Sequence, residues 1–384
     1  MKPLTGSFLL LGPRGTGKST WIKENIPARI TIDLLHSEMF FRYKANPQLL
    51  RSDVASLKKG DWVVIDEAQR VPELLNEVHS LYESVGLQFA ITGSSARKLR
   101  RSDANLLAGR LLRCDFFPLT WNEVGSAKLF ENCLAFGSLP ATLNSPDSAP
   151  DMLASYVQTY LREEVAAEAL TRNLEPFARF LMTAAQHHGQ LLNIESIAKQ
   201  AAIKRGSVDN YFRIIEDTLL GFRLPALRLG ARAREVAHPK FYFFDAGVAR
   251  AAAGWVREVV PEAWLGFSFE TLVLNELRAY NSYKRLDKNF FHYSVTSSFD
   301  VDLLIEIKKK ILQQPASYLA IEVKLAKKWQ SAWTKILRNF ADDKKSNVSK
   351  CFGVYLGSET LTDGNVTILN FTDFSQRLWA GEIF

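Results

Sequence analysis

Two stretches of this chain gather residue types that handle phosphate. Gly12-Pro13-Arg14-Gly15-Thr16-Gly17-Lys18-Ser19 reads G-x-x-x-x-G-K-S. At that spacing the glycines let successive backbone N–H groups converge on phosphate oxygens, and Pro13 stiffens the turn. Lys18 is placed to reach the β- and γ-phosphates of ATP, and the Ser19 hydroxyl, with Thr20 beside it, to sit on Mg²⁺. The second stretch is Trp62-Val63-Val64-Ile65 followed by Asp66-Glu67. An apolar run closing on two carboxylates suits a metal-holding Asp66 and a water-orienting Glu67 acting as general base. That second carboxylate argues for hydrolysis over phosphoryl transfer to a small acceptor. A third apolar run, Phe89-Ala90-Ile91-Thr92, leads into Gly93-Ser94-Ser95. Ser94, with Thr92 as second choice, is the expected sensor of the γ-phosphate. Arg97, Arg100, Arg101, Arg110 and Arg113 follow; Arg110 is either a finger supplied to a neighbouring subunit or part of a solvated basic face.

These residues need a scaffold. Ser7–Leu11 reads as a buried strand and Thr20–Ile26 as the first turns of a helix, so the glycine loop opens a helix whose N-terminus favours anions. Ile30–Asp33, Trp62–Ile65 and Phe89–Thr92 are further strands. Strands alternating with helices predict a parallel, doubly wound sheet with its crevice at the carboxyl ends. Residues 1–145 are expected to form this domain. Gly137-Ser138-Leu139-Pro140 and the polar run Asn144–Pro150 read as a break.

Residues 151–240 read as helical: Met152–Leu170, Pro176–His188, Ile194–Ala201, and a longer helix Val208–Leu220 capped by Ser207 after a turn at 202–206. The last two describe a helix-turn-helix, with Arg228, Arg232 and Arg234 where a wing would lie. Lys204, Arg205, Asn210 and Arg213 are candidates to meet DNA; a winged-helix lid that binds nothing is the other reading. His187, His188 and His238 have no partner at a metal-ligand spacing. Residues 241–384 open with the strand Phe241–Asp245. A helix from about Gly266 follows, with Glu270, Val273, Leu274 and Leu277 on one face. Phe299–Ile305, the turn lysines Lys308-Lys309-Lys310, and Tyr318–Lys324 then predict a hairpin carrying D…E-x-K. Glu322 and Lys324 fall on one face of their strand.

The net charge of +7 tilts the chain toward an anionic partner such as nucleic acid. Its three cysteines, Cys114, Cys133 and Cys351, lie too far apart for a C-x-x-C site or disulfide framework, so a reducing cytoplasm is the expectation. No apolar run reaches membrane-spanning length, and the first strand begins too early for a secretory leader.

The segments LLGPRGTGKST, VVIDEAQRVPELL, ITGSSARKLRRSDANLLAGR, FFPLTWNEV and FGSLPA occur in this order. They resemble the prokaryotic AAA+-type ATPases that carry a C-terminal domain of unknown function. The resemblance implies an α/β fold: an AAA+-like parallel sheet with bound ATP and Mg²⁺, a helical winged-helix middle and a ring or other homo-oligomer. The C-terminal D…E-x-K hairpin resembles the restriction-endonuclease-like core. That likeness implies Asp302 and Glu322 as Mg²⁺ ligands, Lys324 polarising a scissile phosphate of DNA, and Glu270 as an added helix carboxylate. It equally allows a fold kept as an inactive binding or dimerisation platform. Lys327, Lys328, Trp329, Trp333, Lys335 and Arg338 interleave cations and aromatics, as a phosphate-backbone surface or a solvated amphipathic helix would.

Overall fold

The computed structural model describes residues 5–95, 110–161, 165, 173–229, 238–296, 299–343 and 346–384. Arg97, Arg100, Arg101, Arg232 and Arg234 lie outside the described residues, as does most of the end of the expected helix Met152–Leu170. The chain divides into two compact units: residues 1–118 with 214–220, and residues 119–213 with 221–384.

The first unit is built on five parallel strands: β1 (Phe8–Leu11), β2 (Ala28–Asp33), β3 (Trp62–Asp66), β4 (Gln88–Gly93) and β5 (Leu112–Asp115). Their order is β2-β3-β4-β1-β5, which bears out the expected parallel sheet. Near-continuous apolar runs such as FLLL and WVVID suit strands covered on both faces, and Phe8, Leu10, Val63, Ile65, Phe89 and Ile91 are fully buried. The helix Leu74–Ser84 buries Leu74, Leu75, Val78 and Leu81, an i, i+1, i+4, i+7 stripe against this sheet's core. Each such side chain contributes roughly 1.5–3 kcal/mol of burial. The strand order has a direct consequence for chemistry. β4 lies between β1 and β3, so the carboxyl end of β4 stands between the glycine loop and the acidic pair.

The second unit starts with short helices and reaches a long one, Glu262–Tyr283, whose residues from Ser268 to Leu277 are all buried. A helix buried on every side belongs inside a core, here with polar residues such as Glu270 and Glu276 among its buried positions. It begins at Glu262, four residues before the expected start, because Pro261 fixes the entry and Gly266 is tolerated within the helix. A two-stranded ribbon, β6 (Gly221–Leu224) with β7 (Lys240–Phe243), is hydrogen-bonded separately from a six-stranded sheet. That sheet contains β8 (Phe290–Thr296), β9 (Phe299–Lys308), β10 (Ser317–Lys324), β11 (Val348–Tyr355), β12 (Leu361–Asp363) and β13 (Val366–Asn370), in the order β12-β13-β11-β10-β9-β8. β9 and β10 form the expected antiparallel hairpin, and β10 pairs parallel with β11.

The helix-turn-helix segment forms as Ile194–Gln200 and Arg205–Asp217. Asn193 caps the first by accepting from Ser196 N–H at 3.0 Å. The second starts two residues before the expected cap, Ser207. Ala202 makes the turn at a φ of +52°, which leaves Gly206 free to sit inside the helix. Cys114, Cys133 and Cys351 form no disulfide among the described residues, and no helix among them is long and apolar enough to cross a membrane.

Candidate functional site

The glycine loop leaves β1 at Leu11 and enters the helix Lys18–Asn25. Gly15 and Gly17 take φ of +80° and +96°, conformations open to glycine but costly for other residues. Gly12 is required for a different reason: a Cβ there would lie 2.5 Å from the Phe116 carbonyl oxygen. Thr16 is buried and its hydroxyl donates to the Pro13 carbonyl at 2.9 Å, closing the loop on itself. Lys18 is 4% exposed, and its ammonium donates to the carbonyls of Gly12 and Pro13, each at 2.9 Å. Arg14 is half-buried, while Ser19 and Thr20 are exposed at the head of the helix. Ser19 and Asp66 line one cavity of about 440 Å³ with Ile22, Thr31, Asp33 and Val64.

Opposite the loop, β3 ends on buried Asp66, and Glu67 follows at a φ of +58°. The register Leu10–Thr92 across β1 and β4, and Ile65–Ile91 across β3 and β4, sets Thr92 beside both loop and acid. Its hydroxyl donates to the Asp66 carboxylate and accepts the Glu67 N–H at 2.9 Å. Thr92, the second choice from sequence, is therefore the hub that fixes both acids. Ser94 is buried and donates to Glu67 Oε2 at 3.1 Å. Gln69 donates from one amide nitrogen to that same carboxylate and to Ser94 Oγ at 2.8 Å. Sequence reasoning missed Gln69; its signal was an amide two residues beyond the acidic pair. Arg110 is paired with Glu83 at 2.5 Å on the surface of the same unit.

A second titratable cluster occupies the other unit. Asp302 on β9 and Glu322 and Lys324 on β10 converge as expected, with Lys324 Nζ 3.2 Å from Asp302 and 2.5 Å from Glu322. Glu270 joins them from the long helix. Two residues that the sequence pattern did not single out complete it, Lys240 and Asp300. Lys240, 5% exposed, lies 3.2 Å from Asp300, 3.4 Å from Glu270 and 3.8 Å from Asp302. Tyr242 donates to Glu270 at 2.5 Å. The signal was period two: Lys240 and Tyr242 share one face of β7, and Asp300 and Asp302 one face of β9. Burial pushes Glu270, Asp300 and Glu322 above the usual carboxylate range. Burial presses Asp302 the same way, but Lys324, Lys240 and the Val323 N–H outweigh it and hold that carboxyl low. Among the described residues no three His, Cys, Asp or Glu side chains converge as a metal site. Lys204, Arg205, Asn210 and Arg213 are exposed on the helix-turn-helix.

A parallel sheet in this order, with a glycine loop after β1 and an acidic pair after β3, is the arrangement of a P-loop nucleotide-binding domain. Residues 5–125 match the AAA domain family, and a C-terminal domain of unknown function (DUF4143) matches residues 265–374. Residues 127–258 match a further domain of unknown function (DUF8612). An uncharacterized protein of Haemophilus influenzae is 22% identical over 54% of this chain and 56% of its own length. One from Methanocaldococcus jannaschii is 23% identical over 67% of this chain and 62% of its own. The chain thus spans less than two thirds of either curated relative. Among solved structures, a RuvB variant from Thermotoga maritima is 15% identical, with 57% of this chain and 82% of that one covered and a TM-score of 0.31. Protein VC1899 from Vibrio cholerae is 10% identical, with 98% and 96% covered and a TM-score of 0.21.

Proposed function

We propose that the chain is an ATP-hydrolysing switch that holds DNA and whose C-terminal domain does not cut it. Three domains would divide the work: residues 1–145 for ATP, 151–240 as a winged-helix segment and 241–384 as the platform. The glycine loop fits a triphosphate, because its left-handed glycines and helix head present N–H groups while Ser19 and Asp66 border open volume. Bound ATP and Mg²⁺ would supply the electrophilic phosphorus and the cation that neutralises its oxygens. In this reading Lys18 holds the outer phosphates, Ser19 and Asp66 hold the metal, and Glu67 orients water. Thr92, Ser94 and Gln69 keep the two acids in place. Arg110 acts as a finger only in a homo-oligomer, where it would exchange Glu83 for a neighbour's nucleotide.

The single observation that carries the platform reading is Lys240. With Lys324 it places two ammonium groups among four carboxylates, so each of those acids already has a lysine beside it. Asp302 and Glu322 as arranged do not fit a magnesium ion, because the Lys324 ammonium stands between them at 3.2 and 2.5 Å. DNA as the held partner is supported by the net charge of +7 and by the exposed Lys204, Arg205 and Arg213.

Lys18→Ala tests the first half: it should abolish ATP turnover, and wild-type turnover in that variant would falsify the assignment. Incubation with DNA, Mg²⁺ and ATP beside Asp302→Ala tests the second half. Binding with no cleavage is expected, and cleavage abolished by the substitution would restore the nuclease.

A further inference from the structure

One hairpin of the second unit ends in a run of exposed residues. β9 and β10 stay paired out to Lys308 and Ser317. Beyond them the chain closes through reciprocal bonds between Ile311 and Gln314, N–H to oxygen at 3.2 and 2.9 Å. Every residue from 308 to 315 is exposed. The apex is apolar: Ile311 is 63% and Leu312 91% exposed, and Leu312 sits at a φ of +52°. A bulky side chain rarely adopts that backbone. Folding therefore gains nothing from either side chain, since neither is buried and one is strained.

Cations flank the apex. Lys309 pairs with Asp287 at 2.6 Å, while Lys308 and Lys310 form no ion pair among the described residues. Gln313 and Gln314 complete the tip. Lysine, glutamine and an aliphatic wedge together suit the minor groove of a duplex. There, amides meet base-edge acceptors, ammoniums meet phosphates, and apolar side chains press on a base step. A lipid surface would accept the lysines and aliphatics but leave both amides desolvated without partners.

We propose that this hairpin tip is a duplex-contacting wedge: Lys308 and Lys310 on phosphates, Ile311 and Leu312 against a base step, Gln313 and Gln314 toward the groove floor. It rests on the reading that the chain binds DNA, and it adds an element that reading does not name.

The test measures anisotropy of a short labelled duplex with the full chain across about 50–200 mM salt. Wild type is compared with Lys308→Gln/Lys310→Gln and with Ile311→Ser/Leu312→Ser, ATP turnover serving as the check on folding. The lysine variant should lower the salt slope by about 1.8, at about 0.9 for each phosphate no longer neutralised. The apolar variant should weaken binding ~10-fold with the slope unchanged, pressure on one base step being worth about that factor. Duplex binding that neither variant alters would overturn the wedge and leave the DNA reading standing. No duplex binding by wild type would overturn both. Sedimentation with phosphatidylserine vesicles, abolished in both variants and without duplex affinity, would assign the tip to a lipid surface instead.

Discussion

Replacing Lys240 by Met is the sharpest test of how the C-terminal cluster is held together. The substitution keeps most of the alkyl stem and removes the charge. Its ammonium lies 3.2, 3.4 and 3.8 Å from three carboxylates. Taking one partner from a buried pair costs about 3–5 kcal/mol, because the other charge is left without compensation. Three carboxylates lose a neighbour, which argues for the top of that range. Asp300 is 38% exposed and Lys324 remains beside Asp302, which argues for the bottom. A loss of about 4 kcal/mol is the expectation, against a typical total of about 5–15 kcal/mol. Adding Glu270→Gln should recover about 2 kcal/mol, since the residue most deeply buried with Lys240 no longer needs a cation. Urea unfolding followed by tryptophan fluorescence reads both values, with and without millimolar Mg²⁺. A loss below about 1 kcal/mol would mean that the ammonium is not a structural counter-ion. Recovery of the single variant by Mg²⁺ would mean that the carboxylates are a metal site after all.

Three further perturbations follow from the same side chains. Thr92→Val removes the hydroxyl shared by Asp66 and the Glu67 N–H; kcat for ATP should fall at least ~10-fold with KM little changed, and an unchanged kcat in a coupled assay would remove Thr92 from the site. Gly12→Ala drives a methyl to 2.5 Å from the Phe116 carbonyl oxygen; a loss of about 1–3 kcal/mol in thermal unfolding, with ATP affinity weakened in calorimetry, is expected, and an unshifted melting curve would refute the close approach. His188 is driven down to about 3 by burial, its Nδ1 accepting the Phe243 N–H at 3.1 Å and its Nε2 facing Thr271 Oγ1 at 2.8 Å. The unfolded chain therefore binds a proton from about pH 6.5 downward that the folded chain refuses, so stability falls as pH falls, by about 2.5 kcal/mol between pH 7 and 4.5; His188→Gln should lack that component, and parallel urea curves for the two proteins would exclude it.

The loop, the parallel sheet and the C-terminal hairpin were legible because each rests on local pattern. Apolar runs of strand length, a glycine spacing and a period of two need no knowledge of distant residues. What escaped was set by tertiary placement. Ser94 sits at the expected strand end, yet its hydroxyl serves the Glu67 carboxylate. Thr92 outranks it because β4 is threaded between β1 and β3, an order that no stretch of sequence states. Lys240 looked like the residue before a strand; only the approach of β7 to β9 and to the long helix makes it a counter-ion. Glu276 is a comparable case. Its buried carboxylate accepts from the Trp121 N–H at 2.7 Å, Ser375 at 2.5 Å and Trp379 Nε1 at 2.7 Å, joining segments about 100 to 155 residues apart. Boundaries moved where a single residue absorbed strain, as Ala202 did at the turn before Arg205.

The two acidic clusters differ in how their charge is balanced, and that difference supports the roles proposed for them. At the end of β3, Asp66 and Glu67 are oriented by neutral donors: a threonine hydroxyl, a serine hydroxyl and a glutamine amide. Neutral donors fix direction and leave the negative charge in place to meet a cation brought by a ligand. At β9 and β10, ammonium groups from Lys240 and Lys324 stand directly against the carboxylates. A metal entering there would have to displace a buried lysine, at a cost of several kcal/mol that it must recover in coordination. The first arrangement keeps its charge for a visiting cation, while in the second each acid already has a lysine beside it. That contrast supports the proposal of an ATPase with a non-cutting partner domain more directly than either motif taken singly.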